Sequence, residues 1–112
     1  MLTRIAVYGS LKKGKYNHPL LEDSEFIGKT TVFGTLYAVS SYPALVNEGN
    51  NEYEAELYDV DERTYMYIKG MEIGAGYEEM KINVDDHTVI VYYAGKQLED
   101  YCKENKQVIE TY

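Results

Sequence analysis

Val7-Tyr8-Gly9-Ser10-Leu11-Lys12-Lys13-Gly14 ends the first apolar run of the chain, and the fold is read outward from it. Ile5, Ala6, Val7 and Tyr8 predict a strand over Leu2 to Tyr8, stopped by Gly9. A strand that ends in Gly-Ser, with Gly14 close behind, leaves backbone N–H groups free of side-chain cover. Such groups form a concave nest for a carboxylate or phosphate. Gly9 and Gly14 are equally the residues of an ordinary turn, and this stretch alone leaves both readings open.

Further along, the chain predicts short strands separated by turns. Tyr16 to Asp23 predicts a helical turn around His18-Pro19-Leu20-Leu21. Phe26 to Ser40 reads as extended, with Gly34 as a bulge or bend. Tyr42 to Val46 is a short extended piece, Gly49-Asn50-Asn51 a turn, and Tyr53 to Val60 an alternating strand. Asp61 is an N-cap and Glu62 a first-turn acid for a helix running to about Gly70. Tyr77 to Val84 alternates again, and Thr88 to Tyr93 is apolar throughout, as in a central strand buried on both faces. Leu98 to Asn105 predicts a short last helix, with Val108-Ile109 as a possible edge strand. One clear helix before the last hairpin, among many short strands, predicts an α+β fold.

The 112 residues are enough for one domain with its own core, taken as residues 1–112, and 45% of them are hydrophobic. Cys102 is the single cysteine, which excludes an intrachain disulfide and fits a reducing, cytoplasmic compartment. Neither His18 nor His87 stands at zinc-finger spacing from it, and the acidic residues form no ligand loop, so no metal is expected. Arg4 interrupts the first apolar run, which is too short for a signal peptide, and no stretch has transmembrane length. A net charge of −8 argues against nucleic acid and anionic membranes as partners. An anionic ligand would then be held by local dipoles. Tyrosine is abundant at 13 residues, and Tyr42, Tyr77 and Tyr92 are candidates either to line a polar pocket or to pack the core.

Tyr65, Ile68 and Glu72 stand at i, i+3 and i+7, on one helix face. Glu72 occupies a position where the pattern asks for a hydrophobe. A carboxylate turned inward is desolvated, which raises its pKa toward the range a general base needs near neutral pH. If the helix ends at Gly70, Glu72 instead points to solvent.

Tyr8-Gly9-Ser10-Leu11-Lys12-Lys13-Gly14 with Asn17-His18 resembles the opening of the γ-glutamylcyclotransferase-like (AIG2-like) family. Tyr42-Pro43-Ala44-Leu45-Val46, Glu56-Leu57-Tyr58-Asp59-Val60-Asp61, and Met71-Glu72 with Tyr77 resemble three further family segments in the same order. The resemblance implies a small mixed β-barrel with flanking helices and a pocket at one end. It also implies a cofactor-free enzyme that cyclises a small γ-glutamyl compound to 5-oxoproline and releases an amine. The Lys-Lys-Gly and Asn-His details look closest to the γ-glutamylamine branch. On this resemblance Glu72 is the acid–base residue, and Tyr8, Gly9, Ser10 and Leu11 hold the substrate's α-carboxylate. His18 is expected to bond the loop backbone, and Lys12 and Lys13 to be solvated. The family has Glu-Gly-Tyr where this chain has Glu72-Ile73-Gly74-Ala75-Gly76-Tyr77-Glu78, which predicts a longer loop with hinge freedom. It also leaves Glu78 as the alternative carboxylate, although Glu78 and Glu79 read as a solvated pair. A non-catalytic module binding a small acidic ligand on the same fold is the rival reading.

Overall fold

The first apolar run becomes the middle of the sheet. In the computed structural model, which describes residues 2–112, β1 (Thr3–Val7) pairs antiparallel with β3 (Tyr42–Val60) and parallel with β5 (His87–Ala94). β2 (Glu25–Val39) and β4 (Tyr77–Val84) flank these, giving the order β2-β3-β1-β5-β4. With α1 (Glu62–Gly74) and α2 (Lys96–Asn105), the fold is α+β, as expected. Met1 lies outside the described residues.

Side chains alternate between the two faces of a strand. Ile5 and Val7 join one layer with Tyr58, Val60, Ile90 and Tyr92, covered by Ile68 of α1. Ala6 and Tyr8 join the other, with Val32, Leu45, Leu57, Val89, Val91 and Tyr93. Both faces of β1 and β5 are therefore buried, which is why residues 5–8 and 89–94 read as unbroken apolar runs. Ile68 is fully buried and anchors the helix; truncation to alanine would cost about 2–5 kcal/mol.

The sheet curls strongly. The Tyr93 hydroxyl on β5 donates to the Phe33 carbonyl on β2 at 2.8 Å, although β3 and β1 lie between those strands. The ladder does not close, because β2 and β4 remain its two ends, so the word barrel applies only loosely. Gly34 takes φ +148° at a register shift in β2, where a Cβ would collide with the Val46 carbonyl oxygen. Opposite it, β3 runs continuously from Tyr42 to Val60, so the expected break at Gly49-Asn50-Asn51 is instead a bulge. Gly34 pairs with Asn51 and Thr35 with Val46, leaving residues 47–50 outside the ladder.

Asp61 caps α1, accepting from the Thr64 N–H at 2.8 Å. The helix does not stop at Gly70. It continues to Gly74, and the Ala75 N–H closes it on carbonyls of the last turn. Of the residues expected to lengthen a hinged loop, Ile73 and Gly74 are thus helical, and only Ala75 and Gly76 connect α1 to β4. The Gly95 N–H ties that connection down by donating to the Gly76 carbonyl at 2.8 Å. The tail adds an antiparallel bridge between Val108 and Tyr37. Among the described residues no helix is long and apolar enough to cross a membrane.

Candidate active site

A cavity of about 340 Å³ lies where the end of β1, the start of β3, the last turn of α1 and β5 converge. The curl of the sheet and the extension of α1 bring Tyr8, Gly9, Ser10, Leu11, Tyr42, Glu72, Tyr77 and Tyr92 together around it. These eight were named from the sequence as site candidates; Glu78, the alternative carboxylate, is not among the lining residues.

In the loop after β1, every carbonyl from Gly9 to Leu11 is occupied. Lys12 N–H donates to Gly9 O at 3.0 Å and Asn17 N–H to Ser10 O at 2.8 Å, while His18 Nδ1 lies 2.9 Å from Leu11 O. Among the described residues, nothing accepts from the N–H groups of Gly9, Ser10 or Leu11. The loop is held by its carbonyls, not by its amides. Gly9 is required for packing: a Cβ there would stand 2.7 Å from Pro43 Cγ. Lys12 is not simply solvated, since its Nζ donates to the Tyr112 carbonyl oxygen at 3.0 Å.

Glu72 sits on the last turn of α1, on the face of Tyr65 and Ile68, and half-buried in the cavity wall. Among the described residues its carboxylate has no hydrogen-bond or ion-pair partner. Burial alone therefore moves it, from an ordinary 4.5 up to about 7. Glu78 is exposed on β4 and does not line the cavity. Among the described residues no lysine, arginine or histidine lines it either.

The tyrosines divide by what their hydroxyls do. Tyr8 Oη donates to the Tyr92 carbonyl at 2.6 Å and accepts from Leu45 N–H at 3.1 Å, so it is saturated. Its pKa is raised well above the ordinary range, mainly by burial. Tyr77 Oη donates to the Pro43 carbonyl at 2.6 Å, and burial raises its pKa too. Tyr92 Oη donates to Glu79 Oε2 at 2.8 Å. Tyr65 Oη donates to the same oxygen at 2.5 Å, and burial with that bond pushes Tyr65 up to about 12. Tyr42 is 48% exposed and stands at the rim.

Glu79 corrects the sequence reading. It is not half of a solvated pair but is clamped between two phenols, with Lys69 Nζ at 3.7 Å. Burial pushes its carboxyl up, but the bonds from Tyr65 and Tyr92 and the nearby lysines outweigh this and hold it below the usual carboxylate range. Its signal was parity: Glu79 falls on the face of β4 opposite Met80 and Ile82, and that face is covered by α1. Asn17, Val39, Pro43, Met71, Ala75 and Leu98 were also missed as lining residues. For Asn17 the signal was its place in the Asn17-His18 pair; its Nδ2 donates to Ser10 Oγ at 2.9 Å.

A Pyrococcus horikoshii protein named "putative gamma-glutamylcyclotransferase" is 36% identical over 80 residues, covering 71% of this chain and 68% of its own. A Methanocaldococcus jannaschii protein with the same kind of name is 37% identical over 99 residues, covering 85% of this chain and 78% of its own. Among solved structures, an uncharacterised P. horikoshii protein superposes with a TM-score of 0.74 at 32% identity, covering 84% of this chain and 79% of that one. An AIG2-like protein from Mus musculus shares the fold with a TM-score of 0.75 at 23% identity, over 99% of this chain and 88% of that one. The family model described as "Gamma-glutamyl cyclotransferase, AIG2-like" matches residues 5–111. The chain belongs to the gamma-glutamyl cyclotransferase, AIG2-like family.

Proposed function

We propose that this protein is a γ-glutamylcyclotransferase acting on γ-glutamyl amines. The observation that carries the reading is a half-buried carboxylate that shares one small cavity with three loop amides, all without a partner among the described residues; burial raises that carboxylate to about 7. The cavity is at the lower end of the ~300–1,000 Å³ typical of small-ligand sites.

The amides of Gly9, Ser10 and Leu11 hold the α-carboxylate of the substrate. Glu72, ionised, takes a proton from the α-ammonium. The freed amine attacks its own γ-carbonyl carbon, forming the C–N bond of a five-membered lactam. After the bond forms, the attacking nitrogen sheds its second proton, the bond from that carbon to the outgoing nitrogen breaks, and that proton together with the one held by Glu72 passes to the outgoing nitrogen. The products are 5-oxoproline and the amine in its ammonium form. Because nucleophile and carbonyl share one molecule, the effective molarity of the attack is high, and positioning with proton transfer suffices. No cofactor or metal takes part in this scheme.

The leaving group meets Val39, Met71, Ala75 and Leu98. With no cation in the lining among the described residues, a second carboxylate would be buried unpaired, at a cost of several kcal/mol. This favours an apolar amine as leaving group over an amino acid. Incubation with a panel of γ-glutamyl amines and γ-glutamyl amino acids, read by mass spectrometry, tests the reading. The expected result is 5-oxoproline from the amines, unaffected by chelator, with a rate that rises through about pH 7 as Glu72 ionises. Binding of the same compounds without any 5-oxoproline would replace the enzyme by a binding module.

A further inference from the structure

Glu79 takes no part in that scheme, yet it is the most heavily bonded carboxylate beside the cavity. It accepts from two phenols, one on α1 and one on β5, while sitting on β4 directly opposite Tyr92. Tyr92 is almost fully buried and lines the cavity.

A phenol carries one proton and can otherwise only accept. The proton of Tyr92 is committed to a carboxylate, in a charge-assisted bond stronger than one to a neutral acceptor. Turning it toward a ligand would leave the half-buried Glu79 short of a partner. The proton of Tyr77 is committed likewise to the Pro43 carbonyl. The wall built by β4 and β5 is thus an acceptor surface, whereas the loop at Gly9–Leu11 offers donors. We propose that Glu79 is a positioning residue that makes Tyr92 an acceptor only, and that Tyr92, backed by Tyr77, selects ligands bearing an ammonium group on the α-carbon. This rests on reading the cavity as a γ-glutamyl site and extends it, since an α-carboxylate on the loop leaves the adjoining ammonium to be recognised by other residues. A ligand with hydrogen or a hydroxyl in place of that ammonium loses this partner.

Glu79 also ties α1 to β5, so simple weakening of binding would not separate selection from packing. The test compares two probes, L-γ-glutamyl ethylamide and its des-amino analogue glutaric acid monoethylamide, by calorimetry. It uses the Glu72→Gln background, which removes the competing carboxylate and halts turnover. The ammonium probe should bind about tenfold or more tightly than the des-amino probe, the usual range for a hydrogen bond to a charged group. Tyr92→Phe should reduce that preference to about twofold. Glu79→Gln should do the same, because the amide of glutamine can donate to Tyr92 and turn its proton toward the cavity. Combining the two should cause no further loss, and the des-amino probe should keep its affinity throughout. Equal weakening of both probes in Glu79→Gln, or an unchanged preference in Tyr92→Phe, overturns the proposal. Turnover by the unsubstituted protein, measured in parallel, separates the two readings. Release of 5-oxoproline with no preference between the probes sinks ammonium selection alone. A clear preference with no 5-oxoproline sinks the enzyme reading alone, and failure of both probes to bind sinks both.

Discussion

The last turn of α1 and the middle of β4 each bring one carboxylate to Tyr92, whose phenol feels the charge of both. Glu72, on the helix, is desolvated and unpartnered, and its pKa rises to about 7. Glu79, on the strand, is desolvated as well but accepts from Tyr65 and Tyr92 beside Lys69, and its pKa falls. Burial is common to both; hydrogen bonds to the charged form decide the direction. A carboxylate whose proton is easily exchanged near neutral pH suits acid–base work, and one that stays ionised suits holding other groups in place.

The largest expected consequence is kinetic. Glu72→Gln keeps the shape of the side chain but cannot accept the substrate's proton, so turnover should fall by about 10²–10⁴-fold. Glu78→Gln, at an exposed position outside the cavity, should stay near the unsubstituted rate. Steady-state assays of both purified variants check this. Loss in Glu78→Gln with full activity in Glu72→Gln would move the role to β4.

Next comes stability, where the two carboxylates should slope oppositely with pH. The folded-state pKa of Glu72 lies above its ordinary 4.5, so between that value and about 7 the folded chain binds more protons than the unfolded one. Its ionisation therefore destabilises the fold as pH rises through that window. The total is about 3 kcal/mol at ~1.4 kcal/mol per pH unit, an upper figure for a half-buried group. Glu72→Gln should accordingly be the more stable protein at pH 8, with the gain vanishing near pH 4. Urea denaturation at the two pH values measures it, and an equal offset at both would mean that Glu72 is better solvated than its setting implies.

These two residues also mark how far the sequence could be read. The face shared by Tyr65, Ile68 and Glu72 singled out Glu72 from spacing alone, because a helix repeats its face regardless of what covers it. The end of that helix was misjudged: Gly70 is an ordinary stop signal, but packing of Ile68 and Met71 against the sheet carries the helix on to Gly74. The loop Tyr8–Leu11 was legible because glycine placement is local. Glu79 was not, since its partners come from α1 and β5, and only the tertiary fold brings Tyr65 and Tyr92 to it. The open curl of the sheet was likewise hidden, because it depends on which strands meet rather than on any one strand.

A smaller effect is expected from the strand carboxylate. Glu79→Leu removes the acceptor for two phenols, leaving the hydroxyls of Tyr65 and Tyr92 to find others, at a cost of about 1–3 kcal/mol near neutral pH. Because the folded-state pKa of Glu79 is lowered, its contribution is present above the ordinary carboxylate value and fades as pH falls through the folded value. The difference between Glu79→Leu and the unsubstituted protein should therefore shrink in acid, as that of Glu72→Gln does, but it is a loss of stability where Glu72→Gln shows a gain. A difference that grew in acid would mean that Glu79 is held as a neutral acid and would end the contrast between the two sites.

The smallest effect belongs to Lys69, and it tests what the strand carboxylate depends on. Lys69 Nζ stands 3.7 Å from Glu79 Oε1, with the two side chains 38% and 19% exposed. A pair that long and that wet is worth little, typically below about 1 kcal/mol, and is screened by salt. The two phenol bonds are shorter and deeper. Lys69→Met should thus cost less than about 1 kcal/mol in thermal or urea unfolding, and high salt should erase most of the difference. Turnover should be unchanged, because Glu79 keeps both phenols and Tyr92 keeps its orientation. A loss comparable to that of Glu79→Leu would mean that charge neutralisation, rather than the two hydroxyls, keeps Glu79 ionised. The distinction between the two carboxylates would then lie in which of them has a cation nearby.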